Sequence, residues 1–156
     1  MLYVHSRAMK APIIEYPVVD DGYRKRTATL FNSMPFVKFL GIELIDFGPG
    51  WLDCGVEIRP ELTQQHGYGH AGLVATLADM SAGIAACTLL PDGSDTLSLE
   101  FKISLMRPSV GERLIAKGRV IKPGQRISFA ESWIYSVKGA KETLCARGYI
   151  SLAIRR

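Results

Sequence analysis

Residues 72–90 read GLVATLADMSAGIAACTLL, nineteen positions with one charged side chain, Asp79. A stretch this apolar belongs either in a membrane or inside a fold, and the carboxylate decides between them. An Asp at the centre of a span costs about 2.5 to 3.5 kcal/mol on insertion scales. The run is also built from Ala and Gly as much as Leu, and no basic residues flank it closely. A helix packed inside a globular fold is therefore expected, with no membrane partner. Ala75, Ala78, Ala82, Gly83, Ala85 and Ala86 make that helix thin, while Leu73, Leu77 and Ile84 fill larger gaps. Gly83 costs about 1 kcal/mol against Ala in a helix interior, which fits either close approach of another group or a bend.

The rest of the chain alternates with period two. Residues 42–47 and 51–58 read as strands separated by Gly48-Pro49-Gly50, with Leu52, Cys54, Val56 and Ile58 on one face. After the helix, Leu97, Leu99, Phe101, Ile103 and Leu105 alternate with Ser98, Glu100, Lys102 and Ser104 in the strongest strand pattern of the chain. Residues 113–121, 127–137 and 143–154 give three more strands, with turns at Pro123-Gly124 and Lys138-Gly139. Two strands, one long helix and four strands predict an α+β domain in which an antiparallel sheet covers a central helix. Residues 1–34 read as an N-terminal arm with a short helix over 23–32, and residues 35–156 as the domain, opened by a helical turn over 35–40 that Gly41 stops.

The formal charge of +4 comes from Lys and Arg scattered along the chain. Without a basic block, a nucleic-acid partner is not expected, whereas a mild positive field suits a small phosphate-bearing molecule. Cys54, Cys87 and Cys145 are odd in number and widely spaced. That pattern favours a reducing cytoplasm and supplies no metal site. His5, Arg7 and Lys10 are followed by no apolar stretch of signal-peptide length.

Immediately before the helix runs Gln64-Gln65-His66-Gly67-Tyr68-Gly69-His70-Ala71-Gly72. A polar, glycine-rich turn entering a helix delivers free backbone donors, and donors plus a carboxylate are two parts of an acyl-transfer site. Asp79 lies eight residues beyond Ala71, about 12 Å along a helix and too far for both to act on one carbonyl. The spacing predicts that the two groups meet from different subunits, with the helices antiparallel about a two-fold axis.

These residues resemble the hotdog-fold acyl-CoA thioesterases, in the branch of the phenylacetate-pathway enzymes and the small human-type thioesterases. The resemblance spans about residues 35–154 and rests on His70-Ala71-Gly72 in place of His-Gly-Gly, on Leu77-Ala78-Asp79, and on the strand from Leu99 to Pro108. It implies hydrolysis of an acyl-CoA to free acid and coenzyme A by a homodimer or homotetramer, with no metal or redox cofactor. In such enzymes the oxyanion donor corresponds to the Ala71 amide, and Asp79 is general base or nucleophile, of which we take the base. Gln64 stands where the family has a water- or carbonyl-positioning Asn. Ser98 corresponds to a Ser that orients the water, His70 braces the turn, and Gly72 permits close packing. The related hydratases place a His five residues after the Asp, where this chain has Ile84. A non-catalytic acyl-CoA binder on the same fold is the competing expectation.

Overall fold

The structure is a computed structural model that describes residues 10–156, so His5 and Arg7 lie outside the described residues. The chain order is α1 (Tyr23–Ser33), α2 (Pro35–Leu40), β1 (Glu43–Gly48), β2 (Trp51–Glu57), α3 (Ala71–Cys87), β3 (Asp95–Leu105), β4 (Arg113–Lys122), β5 (Ile127–Lys138) and β6 (Lys141–Arg155), with a short 3₁₀ turn at Pro60–Leu62. The six strands form one antiparallel sheet in the order β1-β2-β4-β5-β6-β3. This is the hotdog arrangement, a sheet wrapped around one central helix. No helix among the described residues is long and apolar enough to cross a membrane.

The wrap is close because the helix and the sheet both present small residues. Ala78, Ala82, Ala85 and Ala86 are buried on α3 against Leu52, Cys54, Leu114, Ala116, Val120 and Leu152. At Gly118 on β4, a Cβ would stand 2.2 Å from the Ser81 carbonyl oxygen, so any side chain there forces the sheet off the helix. The Ser81 hydroxyl, buried in this contact, pairs with that of Ser132 at 2.8 Å, which removes the cost of an unpartnered polar group. α3 ends at Cys87, short of the expected Leu90, and Thr88 ties off the end. Its hydroxyl donates to the Ala85 carbonyl at 2.6 Å and accepts from the Gly50 amide at 2.7 Å.

The described part of the N-terminal segment lies on the opposite face of the sheet. Arg119 Nε donates to the Pro12 carbonyl at 2.8 Å, and the Tyr16 hydroxyl reaches the Val120 carbonyl at 3.2 Å. α1 then crosses to the helix side, where Phe31 is buried, and α2 follows with Val37 and Leu40 buried.

β3 departs from its simple alternation. The pairing with β6 slips between Ser98 and Glu100, leaving Leu99 as an extra residue. Before the slip Ser98 pairs with buried Leu152, and after it Phe101 pairs with buried Ile150. Ser98 therefore shares the helix-facing side with Phe101, three positions away, where strict alternation would set them on opposite faces. β3 is also an edge, and Leu97, Leu99, Phe101 and Leu105 on it are at least half exposed.

Candidate active site

His70 caps α3. Its backbone is extended and its Nδ1 accepts a 2.9 Å hydrogen bond from the Gly72 amide, which places the imidazole proton on Nε2. A Cβ on Gly72 would stand 3.0 Å from that Nδ1, so the glycine keeps room for the capping ring. The neighbour that Gly72 spares is thus the cap itself, where the sequence suggested close packing.

The amides around this start are almost all used. Gly69 N–H donates to the Ser109 carbonyl at 3.0 Å, His70 N–H to the Leu62 carbonyl at 2.9 Å, and Gly72 N–H to the cap. Ala71 N–H stands between them without an acceptor among the described residues, at the positive end of a seventeen-residue helix. Ala71 lines a cavity of about 350 Å³ together with Gln64, Tyr68, Val74, Arg107 and Ser109. An anionic oxygen seated there meets one free donor and the helix dipole together.

Gln64 lines the same cavity, yet its side chain is engaged in the turn. Its Oε1 accepts from the His66 amide, while the Gln64 backbone N–H donates to the Tyr68 carbonyl at 2.9 Å. Arg107, which follows the β3 pattern in the sequence, lines the cavity as well. Arg107 Nη1 is anchored on the Leu144 carbonyl at 2.9 Å beside the cavity.

Asp79 and Ser98 form a second cluster. Ser98 Oγ donates to Asp79 Oδ1 at 2.5 Å, and the slip at Leu99 is what turns the serine toward the helix. Asp79 is half-buried rather than enclosed. It borders a separate cavity of about 310 Å³ walled by Met34, Phe36, Val37, Met80 and Phe101. Three of those residues come from α2 and the residue before it, a segment whose sequence announced only a helical turn. One carboxylate oxygen is thus held by a hydroxyl beside a pocket whose lining, Thr76 apart, is otherwise apolar, a setting suited to a base or nucleophile facing an apolar substrate.

Within one chain the two clusters stay apart. Gln64, Ala71, His70 and Gly72 gather at the helix start, while Asp79 and Ser98 lie two turns along it, about 12 Å away, bordering a different cavity.

Comparison with known proteins agrees with this architecture. The family model of the thioesterase superfamily matches residues 66–143, which include the end of the turn, α3, β3, β4 and β5. Human acyl-coenzyme A thioesterase 13 is similar at 33% identity over 71% of this chain and 80% of its own length. A crystal structure of a thioesterase family protein from Silicibacter pomeroyi superposes with a TM-score of 0.83 at 31% identity, covering 85% of this chain and 98% of that one. The Escherichia coli PaaI protein from the phenylacetic acid degradation operon shares the fold, with a TM-score of 0.77 at 17% identity over 86% of this chain and 94% of its own. The chain belongs to the thioesterase superfamily, as a hotdog-fold enzyme whose chemistry is thioester hydrolysis.

Proposed function

We propose that the chain hydrolyses acyl-CoA thioesters at a site shared between two copies. The observation that carries this reading is the division along α3: a free Ala71 amide at its start and a Ser98-bound carboxylate about two turns later. Antiparallel pairing of two such helices brings the Ala71 of one protomer to the Asp79 of its partner and creates two equivalent sites. The edge of β3 supports the pairing, because an eleven-residue edge with four half-exposed apolar side chains is a surface that strand addition covers. A homodimer is the minimum this requires, and a homotetramer remains compatible with it.

In the reaction, the thioester carbonyl oxygen sits against the Ala71 amide. Asp79 takes a proton from water, and the water oxygen bonds to the carbonyl carbon. The negative charge on the tetrahedral oxygen is held by the amide and the helix dipole. When the oxyanion collapses, the carbon–sulfur bond breaks, and coenzyme A leaves as a thiolate that takes up the proton. Ser98 fixes the orientation of the carboxylate, His70 holds the helix start by its cap, and Gln64 and Gly72 shape the turn around the amide. Residues 35–156 are the hotdog unit in this reading, with residues 1–34 an N-terminal arm whose described part, residues 10–34, is laid onto it. The three free thiols fit a cytoplasmic setting.

Release of free thiol from short, medium, long-chain and aryl acyl-CoAs tests the proposal, with wild type and Asp79→Asn side by side. Hydrolysis by wild type and a loss of about 10² to 10⁴-fold in the folded variant support it. Binding without turnover in the wild type supports an acyl-CoA binder instead, and equal rates in both proteins remove Asp79 from the chemistry.

A further inference from the structure

Asp79 shares its cavity with one other polar side chain, Thr76. The two stand three residues apart on α3, the spacing that sets side chains on one helix face with their Cβ atoms about 5 to 6 Å apart. The rest of the lining is Met, Phe, Val and Ala. Thr76 and Asp79 therefore hold the only side-chain oxygens that a small polar molecule in this cavity can meet. A threonine in this alanine-rich run does nothing for the helix itself, since its propensity is low and its bond back to the preceding turn slightly destabilises a helix.

The two side chains are already committed in a way that leaves the same kind of group free on each. Asp79 Oδ1 accepts from Ser98 Oγ at 2.5 Å, and Oδ2 has no partner among the described residues. Thr76 Oγ1 donates its one proton to the Gly72 carbonyl at 3.0 Å. A hydroxyl has a single proton and two lone pairs, so this oxygen is left to accept. The cavity thus presents two acceptors and no side-chain donor. A carbonyl oxygen, itself an acceptor, finds no side-chain partner here and is left to the Ala71 amide. Water, with two protons to give, matches both oxygens, and one water with hydrogen bonds of about 2.8 Å on either side spans a gap of this size.

We propose that Thr76 positions the hydrolytic water, which donates one hydrogen to Asp79 Oδ2 and the other to Thr76 Oγ1. The inference rests on the thioesterase reading, with Asp79 as base, and adds the residue that aims the nucleophile. With both hydrogens held, the lone pair of the water is turned to the thioester carbon. As the oxygen–carbon bond forms, the hydrogen on the Asp79 side passes to the carboxylate. The other hydrogen stays on the attacking oxygen, still bonded to Thr76. Ser98 and Thr76 thus act on different partners, the serine on the carboxylate and the threonine on the water.

The test is kcat and KM of wild type, Thr76→Val, Thr76→Ser, Asp79→Asn and the Thr76→Val, Asp79→Asn double variant, on the acyl-CoA that wild type hydrolyses fastest in a short-, medium-, long-chain and aryl panel. Valine keeps the branched shape and has a helix propensity close to that of threonine, and Thr76→Ala carries the test if the valine variant does not fold. Thr76→Val is expected to lower kcat by about tenfold with KM unchanged, and Thr76→Ser to restore most of the loss. In the Asp79→Asn background, where no base takes the proton of the water, Thr76→Val is expected to cost almost nothing. A threonine that only steadied the helix start through Gly72 would act on the Ala71 amide, and its loss would persist in that background. That result, or an unchanged kcat in Thr76→Val, overturns the inference while leaving the thioesterase reading standing. A wild type that hydrolyses no acyl-CoA overturns both.

Discussion

Ser98 Oγ donates to Asp79 Oδ1 at 2.5 Å across the contact between β3 and α3, and it does so from a strand position that strict alternation would have turned away from the helix. One extra residue, Leu99, brings the hydroxyl to the carboxylate. The bulge is thus a positioning element of the candidate site, as bulges beside active sites commonly are.

If Ser98 orients Asp79 without reacting, its removal costs less than removal of the carboxylate. Ser98→Ala is expected to lower kcat/KM by about tenfold, corresponding to one charge-assisted hydrogen bond. Because the two residues act as a unit, Ser98→Ala adds almost nothing in the Asp79→Asn background. Steady-state kinetics of the two single variants and the double variant check this, and additive losses would separate the two residues.

Ala71 allows a cleaner test of the amide than most backbone donors. It occupies the first position of α3, where proline is well tolerated, and His70 before it already has the extended backbone that proline requires. Ala71→Pro therefore deletes the free N–H and keeps the helix. We expect an unchanged circular dichroism spectrum and a fall in kcat of about 10² to 10³-fold. Near-normal turnover would show that the oxyanion is held elsewhere.

Two glycines facing the core should respond oppositely to the same substitution. Gly118→Ala drives a Cβ to 2.2 Å from the Ser81 carbonyl oxygen and is expected to cost about 3 kcal/mol through overpacking. Gly83→Ala meets only ordinary contacts and is expected to gain about 1 kcal/mol from helix propensity. Thermal melts of the two variants provide the comparison, and a lower Tm for Gly83→Ala would mean that the chain itself needs the glycine.

Much of this architecture is legible in the sequence because the patterns are long. The alanine-rich run with its lone Asp79 predicts a thin central helix, and the alternation of Leu52, Cys54 and Val56 predicts the face they bury. What escapes is set by single-residue geometry. The apolar alternation of β3 runs straight through Leu99 and conceals the slip that turns Ser98 inward. The capping role of His70, and the reason for Gly72 beside it, depend on an imidazole orientation that spacing does not encode. Met34 and Phe36 reach the Asp79 cavity through tertiary packing of α2, and Arg107 reaches the Ala71 cavity through an anchor on Leu144. Neither contact has a local signature.

The central claim is that the amide and the carboxylate of one site come from two chains, and complementation measures it directly. Ala71→Pro and Asp79→Asn proteins are each expected to be nearly inactive as homodimers. A heterodimer of the two carries one site with Ala71 from one protomer and Asp79 from its partner both intact, and one site lacking both. Co-refolded in equal amounts, the mixture should recover about a quarter of wild-type acyl-CoA hydrolysis, because half of randomly paired dimers carry one good site of two. A mixture that stays as inactive as its parents, with subunit exchange verified by mass, would contradict the shared site and place the chemistry within a single chain.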